Sequence, residues 1–177
     1  VGLAPAPPRA SGLLARYDEL RRRESLLAAR VDSARALIPD AAPLARGTIT
    51  SAYAARRYHP VVRRVLPHWG LDIAAPHGAP VFATADAEVL ATFRSPTYGT
   101  GVDLRHGGLY LTRYAHLSAL AVRTGARVKR GQVIGYVGAT GRTTGPHLHY
   151  EAYVRRPDGY HSVDPIRLLP PGGPVGL

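Results

Sequence analysis

The nine residues GPHLHYEAY, at positions 145–153, alternate polar and apolar side chains with a period of two. This alternation predicts a β-strand, because successive side chains of a strand point to opposite faces of the sheet. His147, His149 and Glu151 then share one face, and the other face carries a leucine, a tyrosine and an alanine. The second face is typical of a buried core, so the first face predicts a functional site.

From Thr48 onwards the chain consists of short β-type runs that glycine and proline interrupt, and no long helical period appears. This pattern predicts a mainly β domain of small antiparallel sheets at residues 48–169. The flanking segments are predicted to be irregular. They comprise a flexible Pro/Ala-rich lead-in at 1–10, a linker at 41–47 and a tail at 170–177.

Residues 11–40 follow a different pattern. Ser11 is a suitable N-cap, and apolar residues then recur at alternating spacings of four and three, with arginine at most flanking positions. This predicts an amphipathic helix that forms the end of a coiled coil. The alternative is a single amphipathic helix packed against its own domain. The apolar positions are Leu13, Tyr17, Leu20, Leu27, Val31, Ala34 and Ile38.

Composition narrows the classes of site and partner. The chain has no cysteine, which excludes a disulfide framework and a thiolate zinc site. Its formal net charge of +11 is typical of proteins that associate with polyanions, such as nucleic acid, an anionic membrane surface or an acidic cell-wall polymer. The basic residues are not interleaved with aromatic ones, which does not favour a nucleic-acid groove. Because the chain has no methionine, we expect it to be a processed form or a fragment of a longer protein.

A second polar pair lies in the segment PHWGLDIAAPHGAPV, where His68 and Asp72 are four residues apart. On one extended strand this even spacing places both side chains on the same face. Together with one histidine of the His147/His149 pair they supply three ligands for zinc and leave a position for water. The spacing does not decide which of the two histidines is the ligand. The other would lie close enough to exchange a proton with the water.

Four segments together resemble the lysostaphin/LytM-type zinc endopeptidases of bacterial cell walls. They are ITSAYAARRYHPV, PHWGLDIAAPHGAPVFATADAEV, LTRYAHLSAL and VKRGQVIGYVGATGRTTGPHLHYEAYV. The resemblance covers roughly residues 47–169, and it is closest to the periplasmic members that open peptidoglycan cross-links. It implies that residues 48–169 form a LytM-type zinc peptidase domain.

The resemblance also implies a role for each motif residue. It makes His68, Asp72 and His149 the zinc ligands, and it makes His147 and His116 the catalytic histidines. It places an arginine near the substrate groove, at Arg56 or Arg57, without deciding between them. The remaining histidines match no ligand position of the family: His59, His77, His106 and His161.

The expected function is therefore zinc-dependent hydrolysis of peptide cross-links in peptidoglycan. The alternative is a catalytically inactive LytM-like activator of other cell-wall hydrolases. We expect peptidoglycan rather than nucleic acid as the partner, a monomeric state for this chain, and a periplasmic or extracellular location. An upstream membrane anchor or a partner helix is a further expectation that the family resemblance raises.

Overall fold

A computed structural model describes residues 8–170 and 175–176, so most of the predicted lead-in lies outside the described residues. The chain divides after Arg35 into a helical unit and a β unit. No helix among the described residues is long and apolar enough to cross a membrane. The elements in chain order are α1 (Pro8–Arg35), β1 (Gly47–Ser51), β2 (Ala54–His59), β3 (Arg64–His68), β4 (Gly70–Ala74), β5 (Pro80–Phe82), β6 (Ala87–Ser95), β7 (Gly99–His106), β8 (Tyr110–Leu120), β9 (Arg127–Val128), β10 (Val133–Val137), β11 (His147–Arg156), β12 (Gly159–Val163), a 3-10 turn (Pro165–Arg167) and β13 (Val175–Gly176).

The helix α1 begins before its predicted start. Its first residue is Pro8, whose fixed φ suits the first turn of a helix. Ser11 therefore lies inside the helix, and the prediction that it is the N-cap is wrong. The apolar positions of the helix are more than half exposed, so their coiled-coil role stays a prediction. Those positions are Leu13, Tyr17, Leu20, Leu27 and Val31.

The helix also ends before its predicted end. The carbonyl of Ala36 accepts a hydrogen bond from the backbone N–H of Asp86 at 2.9 Å, which ties the chain to the β unit at this residue. Ile38, predicted to continue the apolar seam, consequently lies outside the helix. Leu44, in the predicted linker, is 1% exposed and belongs to the core of the β unit.

The β unit confirms the predicted fold class, a mainly antiparallel domain that follows an N-terminal helix. Eleven of the described strands form one sheet in the order β13-β1-β4-β11-β8-β7-β6-β9, with β10 bridging β5 and β8 and with β12 beside β11. β2 and β3 form a separate two-stranded sheet. All pairs are antiparallel except β1 with β13, a short strand that lies within the predicted tail.

The strand β11 shows the alternation that its sequence predicts. Leu148, Tyr150 and Ala152 are fully buried on the core side, while His149 and Glu151 lie on the opposite face. β11 is hydrogen-bonded to β4 on one side and to β8 on the other. Its polar face therefore lies between two strands that can each bring further side chains to it.

A chain of hydrogen bonds crosses the core behind β11. The hydroxyl of Tyr150 donates to Thr84 Oγ1 at 3.2 Å, and that oxygen lies 2.9 Å from the hydroxyl of Tyr114. Thr112 Oγ1 lies 3.3 Å from the same tyrosine and 2.8 Å from His106 Nε2. Each buried polar group thus has a partner, as the low dielectric of a core requires.

Candidate metal centre and its cavity

Three neighbouring strands bring the metal-ligand candidates together. His68 is the last residue of β3, Asp72 lies in the middle of β4, and His149 lies opposite Asp72 in the β4–β11 register. The sequence predicted one extended strand for His68 and Asp72. That prediction is wrong, because the chain turns at Trp69 and the two residues belong to different sheets.

Gly70 allows β4 and β11 to approach closely beside the centre. A Cβ at this position would lie 2.5 Å from the carbonyl oxygen of Tyr150 and 3.0 Å from the imidazole of His149. Any larger residue would therefore push β11 away from Asp72, which explains the glycine in the PHWGLD segment.

Three side-chain atoms converge on one point. His149 Nδ1 lies 2.7 Å from Asp72 Oδ1, and His68 Nε2 lies 3.0 Å from the same oxygen. The two histidine nitrogens are 3.2 Å apart. The structure thus brings His68, Asp72 and His149 together as a group that could hold a metal ion.

The outer nitrogens of both histidines determine where the ring protons lie. His68 Nδ1 donates to the carbonyl oxygen of Ala52 at 2.7 Å, and His149 Nε2 donates to Glu151 Oε1 at 2.9 Å. When both rings are neutral, two nitrogen lone pairs and a carboxylate oxygen consequently face one another. Three acceptors at this separation repel unless a cation lies between them, and this set of two nitrogens and one oxygen fits zinc.

The pKa shifts of Asp72 and His149 also indicate that the centre favours a positive charge. Burial raises the pKa of Asp72, but hydrogen bonds from His149 and His68 outweigh burial and hold that pKa well below its ordinary value. Burial lowers the pKa of His149, but hydrogen bonds to Asp72 and Glu151 outweigh burial and raise it to about 9. The centre attracts a cation, and a proton or a metal ion can supply that charge.

Arg57 holds the second oxygen of the central carboxylate. Its Nη1 donates to Asp72 Oδ2 at 3.2 Å and to Ser51 Oγ at 2.6 Å, whereas Arg56 is exposed. Of the two arginines that the sequence left open, Arg57 is therefore the one that points inward. Its contact leaves Asp72 Oδ1 for the metal centre.

The buried carboxylate of Glu151 lies behind His149 and accepts hydrogen bonds from several donors. Glu151, 1% exposed, accepts hydrogen bonds from His149 Nε2, from the hydroxyl of Tyr98 at 2.9 Å and from the hydroxyl of Tyr153. Nη1 of Arg113 lies 3.6 Å from Glu151 Oε2. Sequence alternation placed Glu151 on the histidine face, but nothing in the sequence indicated its tyrosine and arginine partners.

Two further histidines line the same cavity. The ring centroids of His116 and His147 are 4.7 Å apart, and His116 lies 5.9 Å from the ring of His149. His116 Nδ1 donates to the carbonyl oxygen of Thr140 at 2.7 Å, and His147 Nδ1 donates to that of Gly145 at 2.9 Å. Both rings therefore have Nε2 available, and His147 Nε2 is 3.7 Å from Asp72 Oδ1.

His116 has an unusual backbone for its position in β8. Its φ of 60° lies in the left-handed region, which costs about 1–2 kcal/mol for a residue with a side chain. The backbone N–H of His116 donates to the carbonyl of Tyr98 at 2.9 Å and helps to hold this conformation. Burial lowers the pKa of His116 to about 4, so its ring is neutral at neutral pH. Strain of this kind is concentrated at functional sites in proteins.

The cavity that contains these groups has a volume of about 500 Å³. One wall is the β2–β3 hairpin, with His59 and Leu66, and the other is the loop of residues 138–146. His106 and His161 lie elsewhere: His106 is in the core network, and His161 contacts Asp158. The structure thus brings the five residues of the predicted site together in one cavity.

Residues 66–165, which include all five of these side chains, match the profile of Peptidase family M23. The chain is 51% identical over 107 residues to the peptidoglycan DD-endopeptidase ShyA of Vibrio cholerae, and this match covers 60% of the chain and 25% of that protein. The chain spans about a quarter of the length of ShyA and of the related DD-endopeptidase ShyB.

Solved structures are similar as well. A zinc-containing peptidase from Vibrio cholerae is 46% identical, with a TM-score of 0.58, over 64% of this chain and 35% of that chain. The catalytic domain of the prophage-encoded M23 protein EnpA from Enterococcus faecalis is 32% identical, with a TM-score of 0.57. That match covers 72% of this chain and 92% of the EnpA chain.

Proposed function

The chain belongs to Peptidase family M23, and from that premise we propose that it is a zinc endopeptidase that hydrolyses D,D peptide cross-links of bacterial peptidoglycan. The observation that carries the proposal is the convergence of His68 Nε2, Asp72 Oδ1 and His149 Nδ1, with both ring protons directed away from the centre. The D,D specificity is proposed by analogy with the relative ShyA, which is a peptidoglycan DD-endopeptidase.

In this proposal His68, Asp72 and His149 hold the zinc ion. The chemistry that zinc supplies at such a site is polarisation of the scissile carbonyl and a lower pKa for the attacking water. The role of Arg57 is to neutralise Asp72 Oδ2 and fix the plane of the carboxylate, through its bond at 3.2 Å. Glu151 fixes the ring of His149 by accepting its Nε2 proton.

His116 and His147 handle the protons of the reaction. Each has its Nδ1 proton on a backbone carbonyl, so each presents Nε2 to the cavity. A neutral Nε2 accepts a proton from the attacking water, and the imidazolium that results donates a proton to the leaving amine. The same N–H also stabilises negative charge that develops on the scissile carbonyl oxygen.

A cell-envelope substrate agrees with the charge of the chain. A net charge of +11 attracts the anionic polymers that surround peptidoglycan, and we propose a periplasmic or extracellular location because the relative ShyA acts on peptidoglycan. We propose a monomeric state because the arginine-rich flanks of α1 would repel each other in a parallel helical dimer. Nucleic acid is not a proposed partner, because the cavity and its five polar residues have no role in such binding.

The experiment is digestion of purified peptidoglycan of known cross-link type, followed by separation of the muropeptides. We expect conversion of D,D-cross-linked dimers to monomers, loss of this conversion with a chelator, and its recovery with added zinc. If the protein binds zinc but releases no monomer, and instead accelerates a separate cell-wall hydrolase, the catalytically inactive activator is the correct function.

A further inference from the structure

Arg142 occupies a fixed position in the loop that leads into β11. Its backbone N–H donates to the carbonyl of Thr97 at 2.9 Å, and its Nη2 donates to Thr97 Oγ1 at 2.9 Å. The preceding Gly141 has a φ of +78°, and a Cβ there would lie 2.3 Å from the backbone nitrogen of Gly99. Close backbone packing therefore holds the loop, and two hydrogen bonds hold Arg142 on it.

No described residue neutralises the charge of Arg142. Its partly buried side chain lines the cavity that contains the metal centre, and no carboxylate of the described residues lies within 4.0 Å of its guanidinium. The cavity has two carboxylates, and both have other partners. Asp72 is bound to Arg57, and Glu151 is bound to His149 and two tyrosines.

The field of this guanidinium reaches the opposite wall. The pKa of His59, on the β2–β3 hairpin, is lowered by burial and then by the positive charges of Arg57 and Arg142. Each wall thus carries an arginine, and because Asp72 offsets the charge of Arg57, the charge of Arg142 is the one left for a ligand. An extended substrate that carries a negative charge would be attracted to this space.

We propose that Arg142 binds a free carboxylate of the cross-linked peptide within about three residues of the scissile amide. A spherical cavity of about 500 Å³ is roughly 10 Å across, which is the length of about three extended residues. Arg142 is then a specificity-determining residue. The inference rests on the proposed function, and it adds a chemical requirement that the substrate must meet.

The chemistry of the side chain supports a carboxylate as the ligand. A guanidinium has five N–H donors in a planar fork that matches the two oxygens of a carboxylate. Thr97 engages one nitrogen and leaves donors on the others free for the substrate. Since Thr97 already orders the side chain, little conformational entropy is lost when the carboxylate binds.

The test compares two substrates and three variants. The substrates are a purified D,D-cross-linked muropeptide dimer with free carboxylates on its diamino acids, and the same dimer with carboxamides in their place. kcat/KM is measured for the zinc-loaded wild type, Arg142→Ala, Arg142→Lys and the control Arg123→Ala. Arg123 is exposed and lies outside the cavity.

We expect the wild type to prefer the carboxylate dimer by roughly 10- to 100-fold, the scale of a charge-assisted hydrogen bond. Arg142→Ala should lower kcat/KM for the carboxylate dimer alone and remove the preference, Arg142→Lys should keep part of it, and Arg123→Ala should keep all of it. Equal cleavage of both dimers by the wild type, or a full preference in Arg142→Ala, overturns the inference while the proposed function stands. Cleavage of neither dimer overturns the proposed function and this inference with it.

Discussion

The substitution Glu151→Gln tests how the protein orients the metal ligand His149. Glu151 contacts the ring of His149 but is not itself a proposed ligand. Glu151 is 1% exposed and accepts the Nε2 proton of His149 at 2.9 Å. A glutamine has the same size and can still accept that proton through its oxygen. Its amide nitrogen would then face the hydroxyl of Tyr153 and the guanidinium of Arg113, which are both donors in the native structure.

The expected loss of zinc affinity in Glu151→Gln follows from these contacts. A hydrogen bond to a charged acceptor contributes about 1.5–3 kcal/mol and a neutral one about 0.5–1.5 kcal/mol, so the His149 contact loses about 1 kcal/mol. The donor–donor contact with Arg113 adds to this loss and rotates the ring of His149 away from its preferred orientation. We expect zinc affinity to fall by about 10- to 100-fold, the usual range for loss of such a partner.

The protein should still fold, because Arg113 keeps its two hydrogen bonds to Asp103 at 2.9 Å each. The assay is competition for zinc with a chromophoric chelator at neutral pH, with circular dichroism to verify the fold. The matched control is Glu88→Gln, which makes the same chemical change in an exposed ion pair with Arg105. Unchanged zinc affinity in a folded Glu151→Gln variant would show that Glu151 does not orient His149.

Three further predictions concern the cavity, the buried hydrogen-bond network and the apolar core of the β unit. His116→Ala and His147→Ala should each lower kcat by roughly 10²–10⁴-fold and should each retain zinc. Elemental analysis measures the zinc content, and loss of zinc in either variant would contradict the catalytic role of that histidine. Burial lowers the pKa of His106 below its ordinary 6.5. Below pH 6.5 the unfolded chain therefore binds a proton that the folded chain does not, and the free energy of unfolding falls as the pH falls. Denaturant unfolding between about pH 8 and about pH 5 should show a shallower pH dependence in His106→Gln than in the wild type, and equal slopes would contradict this. Leu44→Ala should cost about 2–5 kcal/mol of unfolding free energy, while the control Leu14→Ala, at a position 63% exposed, should cost far less.

The strand β11 shows what could be predicted from the sequence. A period of two over residues 147–152 is produced by local geometry alone, so both the strand and its two faces follow directly from the order of residues. The same period placed Glu151 beside the two histidines. Its partner Tyr98 lies just before β7 and its partner Arg113 lies on β8, and only the register of the sheet brings them there.

His68 and Asp72 show how a correct pairing can be predicted with the wrong geometry. The even spacing suggested one strand, but the chain turns at Trp69 and the side chains meet from two sheets. The ends of α1 were missed for a related reason. Ala36 leaves the helix because its carbonyl is bound by Asp86, a residue fifty positions away in the chain, and no local signal reports that contact.

Which of His147 and His149 is the metal ligand also depends on contacts between residues that are far apart in the sequence. Both histidines lie on the same face of β11, and spacing alone does not separate them. In the structure His149 lies directly opposite Asp72, whereas His147 lies at the end of the strand with its Nδ1 bound to the loop. Register with β4, rather than any feature of the His-x-His motif itself, distinguishes the two rings.

In the proposed function, one zinc ion held by His68, Asp72 and His149 enables the chain to cut a peptide cross-link. The most direct measurement is a titration of metal-free protein with zinc, in which monomer release from a D,D-cross-linked muropeptide dimer is followed by mass spectrometry. We predict that activity rises in proportion to added zinc, stops rising at one equivalent, and is absent at every point in Asp72→Ala. Full activity in the metal-free protein, or zinc-dependent activity that survives in Asp72→Ala, would contradict the claim.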